Sequence, residues 1–126
     1  MVGSNLSNRY TDSMFAKADR LNRSQFNHFF KQGRRIHTPC LTLIYSRSDH
    51  FHGAVVVGKK VHQKAVARNR LRRQIYSALY RWHQTHSLTG VYILIAKPTM
   101  TRLTQGEIAP TVRAVLDRMA ETPHSR

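Results

Sequence analysis

The chain is 126 residues long and 40% apolar, enough for one domain with a modest core. Its 21 Lys and Arg stand against 6 Asp and Glu, a formal charge of +15, and a domain that repels itself this strongly usually has a nucleic-acid partner. No apolar stretch approaches the roughly 18 residues of a membrane span. The N-terminus has no basic segment leading into a signal-peptide core, and the single Cys40 excludes an internal disulfide and suits a reducing cytoplasm.

Residues 1–18 are polar and aperiodic and read as a flexible arm, 19–121 as one domain and 122–126 as a tail. Asn22 and Gln25 form a capping box, with Leu21 and Phe26 as a hydrophobic staple. Phe26, Phe29 and Phe30 then share one helical face, and Gly33 supplies the stop. Arg34 to Pro39 is a basic connector in which the region of Ile36 can pair as an edge strand. Cys40–Tyr45 predicts a strand with Leu41 and Leu43 on one face and Thr42 and Ile44 on the other, Cys40 being a buried small hydrophobe. Ser46 to Gly53 is a polar turn, and Gly53–Gly58 a strand whose β-branched run suits a central position.

A long helix follows from about Gln63 to His83. Leu71, Ile75, Ala78, Leu79 and Trp82 form its core stripe. Arg72, Tyr76, Asn69, Tyr80 and Arg73 fan out beside the stripe, with Arg68 at its edge and Arg70 and Arg81 on the opposite flank. His83–Gly90 reads as a loop and Val91–Ala96 as a strand. Thr104 and Glu107 make a second capping box, and Ile108, Val112, Val115, Leu116 and Met119 a final amphipathic helix that starts late or bends at Pro110. The fold class is α+β, a central sheet of about four strands packed with helices in the order α-β-β-(β)-α-β-α.

The chemistry concentrates in KKVHQKAVARNRLRR, Lys59 to Arg73, which holds seven Lys or Arg and no carboxylate. A solvated helix face would gain from i,i+4 Glu–Lys pairs, and none is present. Guanidinium forks match phosphate oxygens, and the helix N-terminus adds its dipole. The candidate nucleic-acid contacts are therefore Lys59, Lys60, Lys64, Arg68, Asn69, Arg70, Arg72 and Arg73. No catalytic or metal-ligating set is legible. Between Arg20 and Arg102 the only acid is Asp49, too few for clustered carboxylates to hold metal ions, and the pairs His50/His52 and His83/His86 fall in predicted loops without an orienting base.

Val57-Gly58-Lys59-Lys60-Val61 followed by Ala67-Arg68-Asn69-Arg70-Leu71-Arg72-Arg73 resembles the signature of the protein subunit of bacterial ribonuclease P. The resemblance extends over Arg20-Leu21, Phe26 to Gly33 and Ile93 to Lys97. It implies an α/β sandwich with a left-handed βαβ crossover, against the usual handedness. It further implies that a catalytic RNA removes the 5′ leader of precursor tRNA with Mg²⁺ held at the RNA, while the protein alone is inactive. The implied partners are that RNA and precursor tRNA, with no membrane and no small-molecule ligand, in the cytoplasm. The leader would lie in a cleft lined by Phe26, Phe30, Ile44 and Tyr45, with Phe29 packing inward. The family often has an aromatic where Ile44 stands, and Tyr45 takes that role if the register puts it on the cleft face; it often has a basic residue where Tyr76 stands. The alternative function is a general RNA-binding or ribosome-associated protein with no role in cleavage.

Overall fold

The structure, a computed structural model, describes residues 21–86 and 89–121, so the predicted arm and tail lie outside it. Helix α1 (Arg23–Gln32) begins at a complete capping box. Asn22 Oδ1 accepts from Gln25 N at 2.8 Å and Gln25 Oε1 accepts from Asn22 N at 3.0 Å, so two otherwise orphaned amides are satisfied. Gly33 ends the helix for a reason other than a left-handed cap. Its backbone is extended, at φ −72° and ψ 158°. A Cβ there would run into Ile44 Cγ2, and would stand 3.0 Å from both the Phe29 carbonyl oxygen and Ser46 Oγ. Glycine lets the chain leave α1 flush against the sheet.

Four strands follow, with α2 (Ala65–His86) before the last: β1 (Arg34–His37), β2 (Leu41–Ser46), β3 (Phe51–Val56) and β4 (Gly90–Ala96). The sheet order is β1-β2-β4-β3, with β2 antiparallel to both neighbours and β3 parallel to β4. The connector around Ile36 does pair as an edge strand. The β-branched run, however, occupies the other edge instead of the centre, and its strand begins at Phe51 instead of Gly53. The central place goes to β4, buried at every position except Ile95, whereas β3 alternates buried and half-buried residues beneath α2. β4 leaves its turn through Gly90, whose φ of +122° only glycine adopts without strain; a side chain there would also meet the Tyr45 ring.

Helix α2 buries Leu71, Ile75, Ala78, Leu79 and Trp82, the whole predicted stripe. It runs three residues beyond His83, so the first half of the expected loop is helix. A 3₁₀ turn (Pro98–Arg102) leads into α3 (Gln105–Glu121). Glu107 Oε1 accepts from Thr104 N at 2.8 Å. Pro110 does not delay this helix, which starts at Gln105 and passes through it; its exposed ring leaves the Gly106 carbonyl without the usual amide donor.

The sheet thus separates two apolar layers. On one face Leu41, Leu43, Tyr92 and Leu94 meet the stripes of α2 and α3, and Cys40 packs half-buried against this cluster. On the other face Ile44, Val91 and Ile93 are covered by Leu21, Phe26, Phe29 and Phe30 of the α1 region. Trp82 Nε1–H donates to Asp117 Oδ1 at 2.9 Å and ties α2 to α3.

Candidate nucleic-acid interface

Lys59 and Lys60 stand exposed in the turn after β3. This turn is fixed by Val61 N–H donating to the Gly58 carbonyl at 3.0 Å. Arg68 then closes the loop onto α2, its Nη1 donating to the His62 carbonyl at 3.0 Å and the Gln63 carbonyl at 2.8 Å. A residue predicted to meet phosphate is therefore first a brace, holding the basic loop against the first turn of the helix. Arg72 donates to the side-chain oxygen of exposed Asn69, pre-orienting both on one flank. Arg73 is half-buried on that flank, and Lys64 is exposed before the first turn. Arg70 is exposed on the opposite flank, where with Gln74 and Leu71 it borders a cavity of about 230 Å³ facing Met100 and Ile108. The eight candidates lie on one loop-and-helix unit, but they present two flanks.

The α1 side departs further from expectation. The Phe26 and Phe30 rings stack at 5.6 Å and 26°. Phe26, Phe29 and Phe30 are all half-buried and all pack on the second core cluster, so the expected division between an inward Phe29 and open neighbours is not present. Ile44 is 1% exposed and forms floor under α1 instead of a cleft wall. Tyr45 faces the other side of the sheet, its ring 5.2 Å from Tyr92, because successive residues of a strand point to opposite faces. Of the cleft set, Phe26, Phe30 and Ile44 are therefore brought together under α1, and Tyr45 is not. Arg35 takes a place that sequence reasoning missed. It pairs in register with Ile44, its guanidinium lies 4.7 Å from the Phe30 ring centroid, and its Nη2 donates to the Phe30 carbonyl at 2.8 Å. The signal was the alternation in Arg34-Arg35-Ile36-His37: once Ile36 points to the larger core, Arg35 must point toward α1.

The histidine pairs differ in setting. His83 and His86 lie in α2; His83 stacks on Phe51 at 3.7 Å and His86 on Trp82 at 4.4 Å. His52 Nδ1 is buried without a hydrogen-bond partner. Among the described residues there is no group of three or more His, Cys, Asp or Glu that could hold a metal ion. No described helix is long and apolar enough to cross a membrane. Burial, with Tyr45 adjacent, pushes the Tyr92 phenol far above its usual range, and its O–H donates to the Thr89 carbonyl at 3.0 Å.

An acid-free helix flank carried on a three-layer α+β sheet defines a small, strongly basic domain. A family model described as Ribonuclease P matches residues 15–120, and the chain belongs to that family. The ribonuclease P protein component of Synechococcus elongatus is 37% identical over 65 residues, covering 47% of this chain and 53% of the relative. The chain thus spans about half the length of that relative. The component from Nitratiruptor sp. is 30% identical over 95 residues, covering 75% of this chain and 85% of the relative. A Staphylococcus aureus RNase P protein mutant superposes with a TM-score of 0.77 at 26% identity, covering 88% of this chain and 96% of its own. Another structure of the S. aureus protein gives 0.67 at 25% identity, covering 83% and 97%.

Proposed function

We propose that this chain is the protein component of ribonuclease P, binding the catalytic RNA through the loop and basic helix and assisting removal of the 5′ leader from precursor tRNA in the cytoplasm. The observation that carries this reading is the exposed, carboxylate-free flank of α2 in a member of this family. Arg72, Asn69, Arg73 and the Lys59-Lys60 turn supply phosphate contacts whose strength falls with salt, since each neutralised phosphate releases counterions. On the α1 side, the stacked Phe26 and Phe30 with the Arg35 guanidinium offer a base-tolerant stacking surface with a cation beside it, suited to a leader of variable sequence. Tyr45 has no part in that surface. The scarcity of carboxylates supports a reading in which Mg²⁺ and hydrolysis belong to the RNA.

Reconstitution tests the reading. Purified protein should leave precursor tRNA intact by itself and should raise its cleavage by ribonuclease P RNA at low Mg²⁺. Cleavage by the protein unaided, or binding that never alters the RNA's cleavage, would refute it; the second result would favour a general RNA-binding role.

A further inference from the structure

We propose that the groove between α2 and the 3₁₀–α3 junction captures one unstacked nucleotide of the RNA held by the basic helix, an inference that rests on the RNA-binding role above. The cavity of about 230 Å³ has the size a single base requires, and its lining divides by chemistry. Leu71, Met100 and Ile108 form an apolar floor, each 5% exposed or less, against which the face of a base can lie. Gln74 and Gln105 also line the groove, and each amide offers donors and an acceptor of the kind that pair with base edges. No carboxylate lines the groove, and Arg70 places a cation at its edge, where the phosphate of an inserted nucleotide would lie. His62 contributes a ring to the lining from a loop position set by the Arg68 bonds to the His62 and Gln63 carbonyls.

An RNA occupant fits better than a free small molecule because the groove is continuous with the basic face along one helix. Val66, Asn69, Arg70 and Arg73 follow at i, i+3, i+4 and i+7, so Asn69 and Arg73 of one flank meet Arg70 of the other along a shared ridge. Val66 is 69% exposed, the exposed large hydrophobic of the described residues, and it sits amid cations at the point an RNA strand must cross to reach both flanks. Proteins read RNA mainly by taking such unstacked bases into pockets.

Two variants test this against a ribonuclease P RNA transcript. Ala67→Phe projects a ring into the groove without altering charge, and Gln74→Ala with Gln105→Ala removes the edge-reading amides from solvent-accessible positions. Each should weaken RNA binding, by about tenfold for the filled groove, the scale of one lost stacking contact. The slope of log K against log salt should stay at its wild-type value, since no phosphate contact is removed. Chemical probing of Watson–Crick edges should show one nucleotide protected by wild type and reactive with either variant. Should Ala67→Phe fail to fold, the paired glutamine variant decides alone. Wild-type affinity and an unchanged protection pattern in a folded variant overturn the groove while leaving the parent role intact. Failure of wild type to bind the RNA overturns both.

Discussion

Arg68 separates two roles that sequence alone merges, and its replacement can be worked through in numbers. In the structure one guanidinium nitrogen bonds two carbonyls of the loop entering α2, one bond half-buried and the other exposed. A hydrogen bond to a charged group contributes about 1.5–3 kcal/mol when sheltered, and the exposed one contributes less, so Arg68→Ala should cost about 2 kcal/mol. For a domain of this size that corresponds to a fall in Tm of about 8 °C. Arg68→Lys keeps the charge but lacks the planar fork, and should lose roughly half as much, about 4 °C. Arg73→Ala is the control: its Tm should stay within about 2 °C of wild type, while the salt slope of RNA binding falls by about one if Arg73 meets phosphate. Thermal melting by circular dichroism and a salt titration of RNA affinity read the two quantities separately. Arg68→Ala and Arg68→Lys proteins that both melt with wild type refute the brace, because Lys keeps the charge and so offers no relief of repulsion to mask its loss.

Gly33→Ala should destabilise by about 1–3 kcal/mol through overpacking against Ile44, which at 1% exposure has no room to retreat. A Tm equal to wild type would show that α1 can lift from the sheet without loss. Pro110→Ala restores an amide to the Gly106 carbonyl; a helix-interior proline costs about 3 kcal/mol, offset by about 1 kcal/mol of unfolded-state restriction, so a gain of about 2 kcal/mol in urea unfolding is expected. No gain would mean the helix already relaxes around the ring. Tyr92 holds its proton more tightly folded than unfolded, chiefly through burial and then through Tyr45. The native state therefore binds more protons at alkaline pH, and its stability is full below the ordinary tyrosine value of about 10 and declines as pH rises past it. Tyr92→Phe should flatten that decline in denaturant midpoints taken across the range, and an equally steep decline would assign it to other groups.

What the sequence disclosed was local. The α2 stripe was legible because five apolar residues at helical spacing admit one face, and the Asn22–Gln25 cap because its two partners are three residues apart. What it hid depended on partners distant in sequence. Whether the Val-rich strand lies at the centre or the edge is decided by β4 inserting beside β2, which no property of Gly53–Gly58 encodes. Tyr45 could serve the cleft only if it faced α1, and strand alternation turns it to the opposite face from Ile44. Arg68 looked like its neighbours until the loop's carbonyls were in place.

The same locality explains how so unbalanced a helix stays folded. Arg68 with Arg72 and Arg70 with Arg73 are like-charge neighbours on α2, and such pairs cost roughly 0.2–0.5 kcal/mol each. Against this stand the five buried residues of the stripe, where a fully buried Leu or Ile alone contributes about 1.5–3 kcal/mol. The repulsion is small beside the anchoring, so α2 can keep its outer flank free of carboxylates without giving up its place on the sheet. Intrachain Glu partners would have stabilised the helix slightly and would also have competed with phosphate for every guanidinium. The flank is left unneutralised on the side where a polyanion can complete it, and the bonds that shape it, Arg68 to the loop and Arg72 to Asn69, use neutral acceptors that leave its charge intact.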